Sequence, residues 1–252
     1  MLIATVSTQR SGTKLLGNCF QAGTAVTPFG EVFNPDVPHI ASFHDFLRNH
    51  NSEFAALGND EILDRYFEGF RTIRGVFQID VMFNQLEIAV ATWNPHPYFG
   101  LYGYLRKSNA FVIDLRRSLL DSFVSMVHLS SFGGAAHEYQ PSIEYNRHEE
   151  SVELDENAFR EYSASIAWHR RTLEQALSNY SSYYRLNYEE LAQFEEIPHG
   201  LREKICAAAN GYGIDLVPEQ IQLHRPGIYR APKPYNEIYS NYMDLKMRYD
   251  HD

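Results

Sequence analysis

The chain has 252 residues, 44% of them hydrophobic, which is enough to pack one globular domain spanning 1–252. Its formal net charge of −10 excludes a nucleic-acid binder, because affinity for a phosphate backbone depends on clustered lysine and arginine. Two cysteines, Cys19 and Cys206, with no CxxC pair and no metal-type spacing to histidine, exclude a disulfide scaffold and predict a reducing, cytoplasmic setting; no apolar run is long enough to span a bilayer.

The first residues carry no basic start and run straight into a glycine turn, so Leu2–Val6 reads as a buried strand rather than a signal peptide. Three more short, β-branched or aromatic runs, Val76–Ile79, Phe111–Leu115 and Tyr183–Leu186, also predict strands. Helical spacing is found at Lys14–Ala22, Ser42–Asn49, Asp60–Phe70, Val81–Thr92, Leu119–Ser130, Glu156–Asn179 and Tyr235–Lys246. In the longest of these, Phe159, Tyr162, Ile166, Leu173 and Leu177 recur behind Asp155, a suitable N-cap. Trp93–Gly103 and Ser131–Ser151 are rich in Gly, Pro, His and polar residues and read as loops of a length typical of lids or binding loops. Strands alternating with helices predict an α/β fold: a parallel sheet with helices on both faces and ligand chemistry outside the carboxyl ends of the strands.

Two strand-to-helix junctions carry chemistry. After the first strand comes Ser7-Thr-Gln-Arg-Ser-Gly-Thr-Lys-Leu-Leu16, where Gly12 lets the backbone curl so that amides and a helix start face an anion. The GxxxxGK[ST] pattern of triphosphate loops is absent, which counts against a kinase-like phosphotransferase. After the third predicted strand, Arg116-Arg117-Ser118 leads into a helix in which 117, 121 and 125 step by four, so that Arg117 and Ser125 can grip one phosphate from one face. Taken alone, the first junction also fits an ordinary turn and the second an arginine closing a strand.

Together, and in this order, Thr8–Leu15 and Arg117–Ser125 resemble the two phosphate motifs of sulfotransferases, closest to the bacterial carbohydrate group of the trehalose and Nod-factor type. The first matches the group's R-S-G-[ST]-x-x-L loop and the second its R-x-P-x-D-x-x-x-S motif, with Leu119 in place of proline. The resemblance implies a P-loop-like nucleotide-binding fold and 3′-phosphoadenylyl sulfate (PAPS) as donor, with adenosine 3′,5′-bisphosphate as product and no metal. By the same resemblance Arg10, Ser11, Gly12 and Thr13 hold the phosphosulfate, with Arg10 where the cytosolic branch keeps a catalytic lysine. Lys14 is a further cation that either assists the leaving group or faces solvent. Arg117 and Ser125 would hold the 3′-phosphate, and Arg230 and Lys233 would lie near the nucleotide. Arg116 reads as structural.

In-line displacement needs a group to take the acceptor's proton. Glu31, in Gly30-Glu-Val-Phe33, resembles the acidic residue before an aromatic that is the proposed base of the bacterial group; His39, His44 and Asp80 are the reserve candidates. After Gly75 many members carry a lysine, where this chain has Gln78 and Asp80. Leu186–Leu191 resembles the family's Y-E-x-L strand exit and Ile238–Leu245 its closing helix. Tyrosines 180, 183, 184 and 188 read as core and capping residues or as stacking surfaces. No HExxH or G-x-S-x-G occurs. The acceptor class, a hydroxyl or amine on a small molecule, glycan or lipid, is left open, as is homodimer formation. A nucleotide-binding module without catalysis is the rival from another class.

Overall fold

The computed structural model describes residues 1–22, 25–35, 41–54, 57–71, 75–86, 97–131, 153–194, 197–221 and 235–249. The four expected strands form as β1 (Leu2–Ser7), β3 (Val76–Met82), β4 (Phe111–Arg116) and β5 (Tyr183–Asn187), joined by a short β2 (Val26–Pro28). They make one sheet in the order β2-β3-β1-β4-β5, with every neighbouring pair parallel. β1 is buried at all six positions and β3 at all seven, as parallel strands covered on both faces must be.

Alternation along the strands sorts the covering helices. Val76 belongs to a core with Ile3, Phe111 and Ile113, closed by Leu16, Cys19 and Phe20 of α1 (Thr13–Ala22) and Leu201 and Ile205 of α8 (His199–Gly211). Phe77 points to the other face, where its ring stacks 5.4 Å from Phe70 of α3 (Asn59–Arg71). The sheet therefore carries helices on both faces. Each fully buried leucine or phenylalanine in these layers contributes about 1.5–3 kcal/mol.

α2 (Phe43–Phe54) precedes α3, and Ser42 Oγ accepts the Asp45 N–H at 3.2 Å to start it. Residues 97–107, partly within the expected loop Trp93–Gly103, form helix α4 (Pro97–Lys107), with Leu101, Tyr102, Tyr104 and Leu105 buried. The helix expected over Val81–Thr92 starts later, because β3 continues to Met82; helical backbone covers 83–86, and 87–96 lie outside the described residues. Residues 132–152, most of the second expected loop, also lie outside them. Among the described residues no helix is long and apolar enough to cross a membrane.

The chain forms two compact units, Met1–Arg116 with Trp168–Pro226, and Arg117–Ala167 with Gly227–Asp252. The first holds the sheet. In the second, α5 (Leu119–Ser131), the start of α6 (Glu156–Ala176), α9 (Tyr235–Ile238) and α10 (Tyr242–Tyr249) enclose Leu120, Phe123, Val124, Phe159, Tyr239 and Leu245. Asp155 caps α6 as expected, its Oδ1 accepting the N–H groups of Asn157 at 2.9 Å and Ala158 at 3.1 Å.

Candidate functional site

Between β1 and α1 the backbone takes positive φ twice, at Arg10 (63°) and Gly12 (90°). A left-handed arginine is strained by about 1 kcal/mol, and such outliers persist where surrounding contacts impose them. At Gly12 the cause is visible: a Cβ there would run into the ring of Tyr188, at the start of α7 (Tyr188–Phe194). Tyr188 thus presses the loop from outside, and only glycine admits it. The Gly12 carbonyl accepts the Leu16 N–H at 3.0 Å, which closes the first turn of α1 and leaves the leading amides of that helix pointing out of the loop.

Ser11 and Thr13 are buried, while Arg10 and Lys14 are exposed. The Ser11 hydroxyl is fully buried and has no hydrogen-bond partner among the described residues. A buried hydroxyl without a partner costs about 1–3 kcal/mol, a cost removed by an oxygen-rich ligand in the loop. The residues present therefore fit an anionic phosphosulfate.

Beside this loop, Gly30 (φ 67°) makes the turn after β2, and its carbonyl accepts the Asp80 N–H at 2.7 Å, which docks the turn on β3. Val32 and Phe33 are buried, and Phe33 meets Phe43 edge-on at 5.1 Å, so the aromatic after Glu31 is an anchor. Glu31 itself is half-buried. Its Oε2 accepts Asn34 Nδ2 at 2.8 Å and Gln85 Nε2 at 2.5 Å. Both amides converge on one oxygen, and among the described residues Oε1 has no donor. Gln85, just beyond β3, was not singled out by sequence reasoning: a glutamine in a helical pattern carries no signal until the fold places it against a carboxylate.

Asp80 lies opposite Thr5 in the β1–β3 register, on the face that α1 covers. Gln78 Nε2 donates to Asp80 Oδ1 at 2.6 Å and to Thr5 Oγ1 at 3.0 Å. Burial first, and the Glu31 charge as well, push Asp80 up to about 7 despite the Gln78 hydrogen bond. A carboxyl raised to about 7 is well matched to proton transfer near neutrality, so Asp80 stands as a reserve base, and only its burial, at 4% exposure, counts against it. His44 is engaged elsewhere, its Nε2 lying 3.1 Å from the Phe33 carbonyl. His39, Arg230 and Lys233 lie outside the described residues. Cys19 and Cys206 are buried and unpaired, and burial pushes the Cys19 thiol up to about 11, which leaves it inert as a nucleophile. No three His, Cys, Asp or Glu side chains gather as a metal site among the described residues.

The second motif belongs to the second unit. Ser118 Oγ accepts the Asp121 N–H at 3.3 Å and caps α5, so the helix starts at Leu119 and only Asp121 and Ser125 share a helical face; Arg117 sits in the connector before it, a correction to the expected three-residue stripe. Asp121 Oδ1 accepts the Tyr242 hydroxyl at 2.6 Å, which ties α5 to the closing helix α10. Ser125 is buried and Arg117 half-buried. The neighbouring Arg116 is structural, as expected: its guanidinium meets Asp114 Oδ2 and Glu174 Oε1, each at 2.6 Å, and Asp114 also accepts the Tyr183 hydroxyl at 2.6 Å.

No family profile matches the chain, and no curated protein sequence matches it. Among solved structures, a sulfotransferase from Alicyclobacillus acidocaldarius is similar over 99% of this chain and 96% of its own, with 15% sequence identity and a TM-score of 0.44.

Proposed function

We propose that this chain is a sulfotransferase, one domain over residues 1–252, that moves a sulfonate from PAPS to a hydroxyl or amine of a small-molecule, glycan or lipid acceptor. The observation that carries the reading is the loop after β1: two left-handed residues, a buried Ser11 hydroxyl without a partner, and a helix start behind them. Glu31 adds to it, since both amide donors on Oε2 leave Oε1 for a proton.

On this reading the acceptor oxygen or nitrogen attacks sulfur, the bond from sulfur to the phosphate oxygen breaks, and the acceptor's proton passes to Glu31 Oε1. Arg10 and the amides of 11–13 meet the charge that grows on the leaving phosphate. Arg117 and Ser125 hold the 3′-phosphate, and Arg230 and Lys233 supply further positive charge. Lys14, being exposed, is free to swing toward the leaving group or to remain in water. The two buried, unpaired cysteines support a reducing compartment, the cytoplasm.

The test pairs binding with turnover. Adenosine 3′,5′-bisphosphate should stabilise the protein by about 2.7 kcal/mol at a hundredfold excess over Kd, well beyond ATP with magnesium. Glu31→Gln should retain that binding and lose roughly a hundredfold or more in transfer from labelled PAPS. Stronger stabilisation by ATP with magnesium would move the assignment to a phosphotransferase. Full nucleotide binding with no transfer to any of a broad acceptor panel would favour a non-catalytic module.

A further inference from the structure

Sulfonate transfer with Glu31 as base leaves Asp80 without a task. Asp80 is 4% exposed, and among the described residues its carboxyl receives a single hydrogen bond, from Gln78, and no cation. Among the described residues, the groups that register, hydrogen bonding or charge ties to it are Thr5 from β1, Gln78 from its own strand, and Glu31 from the turn after β2. Of these only Glu31 titrates, and it carries the same sign of charge. A buried carboxylate with no cation to pair with is unstable as an anion and tends to hold its proton.

Its place in the sheet gives that proton a consequence. Asp80 is level with Thr5, two residues before Ser7, on the face covered by α1. At about 3.3 Å per strand residue, the loop begins about 7–10 Å away. Resting on the donor reading, we propose that Asp80 is the positioning residue that matches the charge of this site to its ligand, so that an anion entering the loop is bound together with a proton held on Asp80. The proton comes from solvent and stays on the Asp80 carboxyl, and no bond of the ligand is altered. With Asp80 neutral, the anion faces one carboxylate, Glu31, instead of two. Burial holds the Asp80 titration near neutrality, which puts the exchange within a working pH range. One unit charge about 9 Å away, at an effective dielectric of about 20, changes a proton affinity by roughly tenfold or more.

The experiment is calorimetric binding of adenosine 3′,5′-bisphosphate near pH 7, in two buffers of different ionisation enthalpy, to wild type and Asp80→Asn. The ligand's own titration is common to both proteins and cancels in the difference. Wild type should take up about half a proton more than the variant. Its Kd should also rise about tenfold more than the variant's between about pH 6 and 8.5. Equal proton uptake in the two proteins overturns the proposal. Absence of binding to either protein overturns the donor reading itself, and this inference with it. If Asp80→Asn does not fold, the wild-type aspartate carboxyl ¹³C titration serves instead: its midpoint must move to higher pH when the bisphosphate is added, and a fixed midpoint refutes the idea.

Discussion

Replacing Asp80 by asparagine should stabilise the ligand-free protein at alkaline pH, although it alters a buried, hydrogen-bonded residue. The folded chain raises this carboxyl from its ordinary 3.8 to about 7, with burial the main cause. The folded state therefore binds the proton more tightly than the unfolded state. The stabilisation is fully present below pH 4 and is lost as pH rises through 7. Each tenfold in proton affinity is about 1.36 kcal/mol, so the full loss is about 4 kcal/mol, of which about 3 kcal/mol falls between pH 4.5 and 8. Asparagine carries no charge at any pH and keeps an oxygen for the Gln78 Nε2 donor, so it mimics the protonated acid. Urea unfolding of both proteins across this range should give a stability difference in favour of the variant that grows from about 1 kcal/mol at about pH 4.5 to about 4 kcal/mol at about pH 8. Taking the difference removes the opposing trend of Glu174, which Arg116 holds below the usual carboxylate range. A difference that does not change with pH would show that Asp80 has the same charge in the folded and unfolded chains and would refute the reasoning.

Gly12→Ala should abolish binding of adenosine 3′,5′-bisphosphate, because the new Cβ must displace the Tyr188 ring at a backbone angle that L residues rarely adopt; wild-type affinity by calorimetry would show that the loop does not hold the ligand. The two adjacent arginines should separate cleanly. Arg116→Met should cost about 3 kcal/mol of stability in denaturant unfolding, since it removes the close cation from the buried Asp114 and leaves only the half-exposed Arg185, 3.9 Å away, and should spare nucleotide affinity. Arg117→Ala should instead weaken the nucleotide by roughly 1.5–3 kcal/mol, and that loss should not add to the loss from removing the ligand's 3′-phosphate; full additivity would take Arg117 off that phosphate.

The sheet and the loop after β1 were legible because their signals are local. β-branched runs of parallel-strand length need no partner to be recognised, and a glycine set between a strand and a helix announces its turn. What escaped depends on tertiary contact. β2 is a three-residue edge strand ending in Pro28, too short to show a period. The Gly, Pro, His and polar content of Trp93–Gly103 reads as a loop, yet from Pro97 onward it belongs to α4: Pro97 stands at the first position, where a missing N–H costs nothing, and buried Leu101, Tyr102, Tyr104 and Leu105 hold the helix in place. The closing segment was read as one helix over Tyr235–Lys246. It breaks between Ile238 and Tyr242, where Asn241 exchanges two 2.9 Å hydrogen bonds with the backbone of Leu154. At the site itself, Glu31 was visible through its neighbours in sequence. Gln85, which fixes its carboxylate, and Tyr188, which enforces Gly12, are recognisable only once the chain has folded.

The position of β1 has a consequence for how the chain reaches this state. Of the five strands of the sheet it comes earliest in the chain, yet it lies in the middle, with Leu2 paired to Phe77 and Ile3 to Phe111. A strand buried at every position must therefore wait while both of its partners are made. At about 5–20 residues per second that wait lasts several seconds or more, during which both edges of the strand are open. Pairings so distant in sequence close slowly. The nascent chain is thus exposed to self-association in this window, and its yield in a cell should depend more on chaperone capacity than on the stability of the finished fold.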